Sequence, residues 1–112
     1  MVDMKLSYAH EKLGAIISIL ALGQGDIRSR LRDAYPELMI IRDAPLPEPA
    51  KELYDSIVRR LNKKEEIYIN NTMVAGRVVA TLRSMKNKTG QDIAFDIVRL
   101  KEIVSEYYHN ND

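Results

Sequence analysis

A chain of 112 residues with 46% hydrophobic and 29% charged residues has the length and balance of one globular domain, expected to span residues 1–112. It contains no cysteine, which excludes disulfide frameworks, thiol catalysis and thiolate zinc sites and suits a reducing cytosol, so a cytoplasmic location is expected. A formal net charge of +1 exerts no global pull toward nucleic acid or a membrane surface, so any such contact has to come from local clustering.

From Leu6 to Leu22, apolar residues fall at Leu6, Ala9, Leu13, Ile16, Ile17 and Leu20, spacings of three and four that define one face of a helix. Its run Ala15 to Leu22, broken by Ser18, is much shorter than the roughly 20 apolar residues a bilayer requires. Asp3 and Glu11 stand where a secretion signal carries bases, so the run reads as a buried helix and no membrane association is expected. Gly23 and Gly25 stop the helix through the left-handed conformation open to glycine, and Asp26 caps the next one. The second helix sets Ile27, Leu31, Ala34, Leu38 and Ile41 on one face, and Pro36 either kinks it or splits it at Tyr35.

Three prolines within Arg42 to Pro49 make a loop, after which a third helix runs to about Lys63 with Ala50, Leu53, Tyr54, Ile57, Val58 and Leu61 inward. Its acids, Glu52 and Asp55, precede its bases, Arg59, Arg60 and Lys63, an order that complements the helix dipole; Asp55 and Arg59 are spaced for an ion pair. Lys64 to Asn71 is a connection in which Ile67, Tyr68 and Ile69 have strand character but no expected partner strand. A fourth helix is expected from Asn71 or Thr72, carrying Val74, Val78, Leu82 and Met85, until Lys86 to Gly90 breaks it. Thr89 with Asp92 has capping-box spacing, and the last helix carries Ile93, Ile97, Leu100, Val104 and Tyr107 on one stripe. Four to five amphipathic helices joined by short connections imply an all-α fold, a compact bundle.

No catalytic constellation emerges. His10 and His109 lie near opposite ends of the chain, and only Glu106 to His109 has the Glu-x-x-His spacing of di-metal bundles. The last-helix pairs Asp92/Asp96 and Glu102/Glu106 are interleaved with Arg99 and Lys101, which reads as a solvated, salt-bridged face rather than a metal clamp. Hydroxyl side chains lack an evident base, and Lys-Asn-Lys-Thr-Gly has phosphate-loop residue types in the wrong order. The expectation is a non-enzymatic protein with no metal and no cofactor; an enzyme acting on a phosphorylated small molecule is disfavoured for want of a general base.

Two features point to binding. No acid occurs from Ile67 through Gln91, whereas Arg77, Arg83, Lys86 and Lys88 do, and with Thr89 at a helix start they form a candidate corner for phosphate on a nucleic acid or small ligand. The competing explanation is that lysines at a helix C-terminus simply complement its dipole. Likewise, Arg28 and Arg32 read as partners of Asp26 and Asp33. Met39, Ile40 and Ile41, with Ile67, Tyr68 and Ile69, exceed what one helix stripe needs and make a candidate protein interface.

The runs Gly-Gln-Gly-Asp-Ile-Arg-Ser-Arg-Leu (23–31) and Thr-Gly-Gln-Asp-Ile-Ala-Phe-Asp-Ile-Val-Arg-Leu (89–100) resemble a loose group of short, uncharacterised bacterial all-helical proteins. The resemblance implies a helical fold and a bacterial origin, and carries over no activity or functional residue. The leading expectation is therefore a small helical protein-interaction module that binds a protein partner and can self-associate as a homo-oligomer. The alternative is a nucleic-acid-associated protein that uses the Arg77 to Lys88 corner.

Overall fold

In the computed structural model, which describes residues 5–110, the helices form where the apolar periodicity places them; Asp3 lies outside this range. Helix α1 spans Leu6–Leu22, α2 Ile27–Ile40 and α3 Glu48–Leu61, followed by strands β1 (Ile67–Ile69) and β2 (Thr72–Ala75), then α4 (Arg77–Ser84) and α5 (Asn87–Asn110). Among the described residues the fold is all-α apart from one small hairpin. Helix α5, 24 residues and about 36 Å long at 1.5 Å per residue, is the axis of the bundle: α1, α2 and α3 all pack on it, and α4 closes one end against α2 and α3. Leu13, Ile16, Leu31, Leu38, Ile57, Leu61, Ile93, Ile97, Leu100 and Val104 are wholly inaccessible to solvent and form one core. No helix of the described residues is long and apolar enough to cross a membrane.

The helix ends show how local chemistry sets the boundaries. Asp26 accepts from the backbone N–H groups of Arg28 and Ser29 at 3.0 and 3.1 Å, the expected N-cap of α2. The left-handed glycine of this turn is Gly25 (φ +83°), whereas Gly23 is extended and donates its N–H to Ile19 O at 2.8 Å. A side chain at Gly23 would meet that same carbonyl at 2.5 Å, so glycine is required there for space and not for its φ. Arg30 reaches back to the Leu20 carbonyl at 3.1 Å, a cation at the C-terminus of α1. Pro36 lies inside α2, which runs through it as one helix.

The third helix ends at Leu61, two residues before the expected limit, and Asp55 pairs with Lys51 at 3.2 Å in place of Arg59. Ile67–Ile69 does have a strand partner: Thr72–Ala75 folds back antiparallel, pairing Tyr68 with Met73 and Ile69 with Thr72. The turn is Asn70–Asn71, both left-handed (φ 51° and 64°), the requirement of a two-residue type I′ hairpin and a conformation asparagine tolerates. A bulge between Ile67 and Tyr68 leaves Val74 without an opposite residue. Helix α4 therefore starts at Arg77, not near Asn71, and Val74 belongs to a strand.

The expected break at Lys86 to Gly90 shrinks to the two residues between Ser84 and Asn87. Thr89 is inside α5, so it does not begin a capping box, and the Gly90 N–H is not free but bonds to Lys86 O at 3.1 Å. The apolar stripe of α5 ends at Val104, since Tyr107 is exposed.

Candidate functional site

Of the two apolar runs singled out for an interface, the first dissolves into the bundle. Ile41 is fully buried, Met39 is half-buried against the core, and only Ile40 is exposed, at the end of α2. The second run sits on the hairpin. Ile67, Tyr68 and Ile69 on β1 and Met73 and Val74 on β2 are all exposed, with Tyr68 and Ile69 each at 59%. Successive residues of a strand point to opposite faces, so the hairpin offers apolar side chains on both. Its principal packing is between β2 and α4, and the segment leading into it is pinned: the Lys64 N–H donates to Thr81 Oγ1 (2.9 Å), and Arg77 Nε meets Glu66 Oε1 (3.2 Å).

The residues of the predicted anion corner divide. Arg77 is engaged with Glu66 and with the Asn62 carbonyl. Arg83 projects between two surface recesses on either side of α4, one shared with Asp26, Arg28 and Arg32, the other with Lys64, Glu65, Ile67 and Ser84. Lys86 and Thr89 line a third cleft of about 500 Å³, together with Arg60, Lys63, Lys64, Thr81, Ser84 and Met85. Lys88 is exposed on the first turn of α5 and is not among these lining residues.

That third cleft was not legible as a unit in the sequence. Its lysines come from the end of α3 and the start of α5, which converge because both helices pack together, joined by Arg60 Nη2 to Asp96 Oδ2 at 2.7 Å. No acidic residue lines it. Among the described residues Lys63, Lys64, Arg83 and Lys86 form no ion pair, whereas Arg28 is matched by Asp26 (2.8 Å) and Arg32 by Asp33 (3.8 Å), as the sequence led one to expect. The hydroxyls of Thr81 and Ser84 donate to helix carbonyls, at 2.7 and 3.2 Å.

Sequence reasoning missed one further cluster. His10 on α1 is half-buried, and its Nε2 lies 2.8 Å from Ser105 Oγ on α5, so one hydroxyl does meet a base. The ring stacks on Tyr108 at 5.2 Å and meets His109 edge-on at 5.8 Å. The antiparallel packing of α1 on α5 brings the start of α1 against the end of α5, which no spacing in the sequence reveals. A hydroxyl beside a base is part of a nucleophile's requirement, but among the described residues no hydrogen bond orients the far nitrogen of His10, and none of these three recesses reaches it.

Burial first, then the positive charges of Lys101 and His109, lower the pKa of His10 from its ordinary 6.5. The folded state thus holds the ring neutral more strongly than the unfolded chain does. Its contribution to stability is full above pH 6.5 and is lost as pH falls through the lowered folded value. Thermal unfolding followed by circular dichroism is expected to show a falling midpoint as the pH drops below about 6.5, and His10→Gln to remove that step. A midpoint equally pH-dependent in the variant would assign the effect to other groups.

Among the described residues no group of three or more His, Asp or Glu side chains converges as a metal site would require. Comparison with known proteins finds no matching family model, no similar curated protein and no similar solved structure.

Proposed function

We propose that this chain is a protein-interaction module and that the β1–β2 hairpin is its contact element. The observation that carries the reading is the exposure of Ile67, Tyr68, Ile69, Met73 and Val74 together on one projecting hairpin. Removing such side chains from water yields about 25 cal/mol per Å² of apolar area. Contiguous exposed apolar patches on soluble chains typically mark contact surfaces. A two-stranded sheet also has an unpaired backbone edge on each strand. The occupant that fits is an extended segment of a protein partner, added alongside β1 by main-chain hydrogen bonds, its side chains meeting Tyr68 on one face or Ile67 and Ile69 on the other. A second copy of the chain offers the same kind of edge, which makes self-association the concentrated-solution form of the same contact.

The test compares the wild type with Tyr68→Lys/Ile69→Lys, two changes at exposed positions that leave the core intact. A nuclease-insensitive partner retained from lysate by the wild type and lost by the variant supports the reading, as does a wild-type mass that rises with concentration where the variant's does not. A partner held equally by both proteins, or a wild type that stays monomeric and retains nothing, overturns it.

A further inference from the structure

The basic recesses around α4 meet the hairpin at Ile67, which lines one of them, and are otherwise built from residues outside it; their arrangement is unlike a small-ligand site. A pocket for a single phosphate converges buried, oriented donors on one point. Here Lys63, Lys64, Arg83 and Lys86 are exposed, and the Thr81 and Ser84 hydroxyl protons are already committed to helix carbonyls. The charge is instead distributed. The three recesses adjoin one another, Arg83 belonging to two of them and Lys64 and Ser84 to two, so the unpaired cations follow the flank of α4 from the end of α3, past Arg83, to the start of α5. Of the residues lining the cleft between α3, α4 and α5, none is acidic, and only Glu65, in the neighbouring recess, is an acid without a cation partner. A row of exposed, unpaired cations of this kind matches a repeating anion, and tracking a phosphodiester backbone needs no more geometry than that.

We infer that the groove running past Arg83, Lys64, Lys63 and Lys86 binds the phosphodiester backbone of nucleic acid without reading its bases. A chain whose overall charge is only +1 concentrates four unpaired cations on this flank, so the attraction is local and separable from net charge.

The full chain is titrated into a fluorescein-labelled single-stranded 20-nucleotide probe of mixed sequence, with a duplex of the same sequence and phosphatidylserine vesicles as parallel arms, at several salt concentrations. Four contacts on a single strand give a slope of log K against log salt of about −3, hence roughly 50-fold weaker binding at 200 mM than at 50 mM. Lys63→Gln/Lys64→Gln/Lys86→Gln is expected to weaken the probe at least about 10-fold at low salt and to reduce the slope by about 2, with an unchanged circular dichroism spectrum. Lys5→Gln/Arg42→Gln/Lys101→Gln removes the same charge from elsewhere and is expected to bind as the wild type does. Binding of either the single strand or the duplex with this pattern supports the inference. No binding at 50 mM salt, equal weakening by both triple variants, or capture of vesicles without capture of the probe would overturn it. The hairpin residues are untouched by these changes, so failure here leaves the protein-interaction reading standing, and the reverse.

Discussion

Tyr54→Phe is expected to lower the unfolding free energy by about 1–3 kcal/mol, a large share of what a single domain possesses. The reason lies at the C-terminus of α2, where the last carbonyls have no partner within the helix. There the Arg42 N–H turns to Met39 O and the Ala44 N–H to Ile41 O, leaving Leu38 O without a backbone donor from the turn. The Tyr54 hydroxyl, on α3 and only 1% exposed as a residue, donates to Leu38 O at 2.6 Å. Phenylalanine keeps the ring and its packing but strands a buried carbonyl, which costs the desolvation of that group in full. The measurement is a urea titration, in which the midpoint should fall with the slope unchanged; a shift under about 0.5 kcal/mol would mean that Leu38 O finds another donor. The same burial pushes the Tyr54 pKa up to about 12 from 10.0. Because that folded value is raised, its contribution is full below pH 10 and is lost as pH rises toward about 12, and the variant should lack this alkaline step.

Gly90→Val should destabilise by about 2 kcal/mol, lowering the melting temperature by roughly 8 °C for a chain of this length. Gly90 is buried on the first turns of α5 where they cross α2, and a Cβ there would stand 2.9 Å from Ile27 Cγ2 and 3.5 Å from Leu31 Cδ1. The Ile27 methyl is attached at a branched Cβ with few rotamers, so it cannot swing aside, and α5 has to lift off α2. Overpacking of this kind costs about 1–3 kcal/mol, against less than about 1 kcal/mol gained by replacing glycine within a helix. Ile27→Ala in the same molecule clears the space, and Gly90→Ala in that background should stabilise. If Gly90→Val costs the same with and without Ile27, the two are uncoupled and the close approach is not what requires glycine.

Much of the architecture was legible because the signals were local. Three- and four-residue spacing placed α1 to its last residue, Asp26 announced the start of α2, and the prolines of residues 45–49 opened α3. The hairpin was not, because Asn70-Asn71-Thr72 serves equally well as a helix start; only the return of β2 alongside β1 makes both asparagines left-handed. Thr89 and Asp92 likewise have the spacing of a cap, but α5 had already begun at Asn87. Ile41 fits both the inward face of α2 and the apolar run Met39 to Ile41 offered as an interface, and the first reading holds: it is fully buried at the helix end.

The candidate sites divide along the same line. The sequence by itself determined an all-α bundle of four to five helices and the charge bias of residues 67–91, because each depends on neighbours within a few positions. Only the tertiary structure decided that Arg77 is paired with Glu66, that Lys63 and Lys64 face Lys86 across a cleft, and that His10 meets Ser105 from 95 positions away. Helix periodicity reports which face is apolar and not which helix covers it, so a surface assembled from the ends of different helices exists only once they have packed.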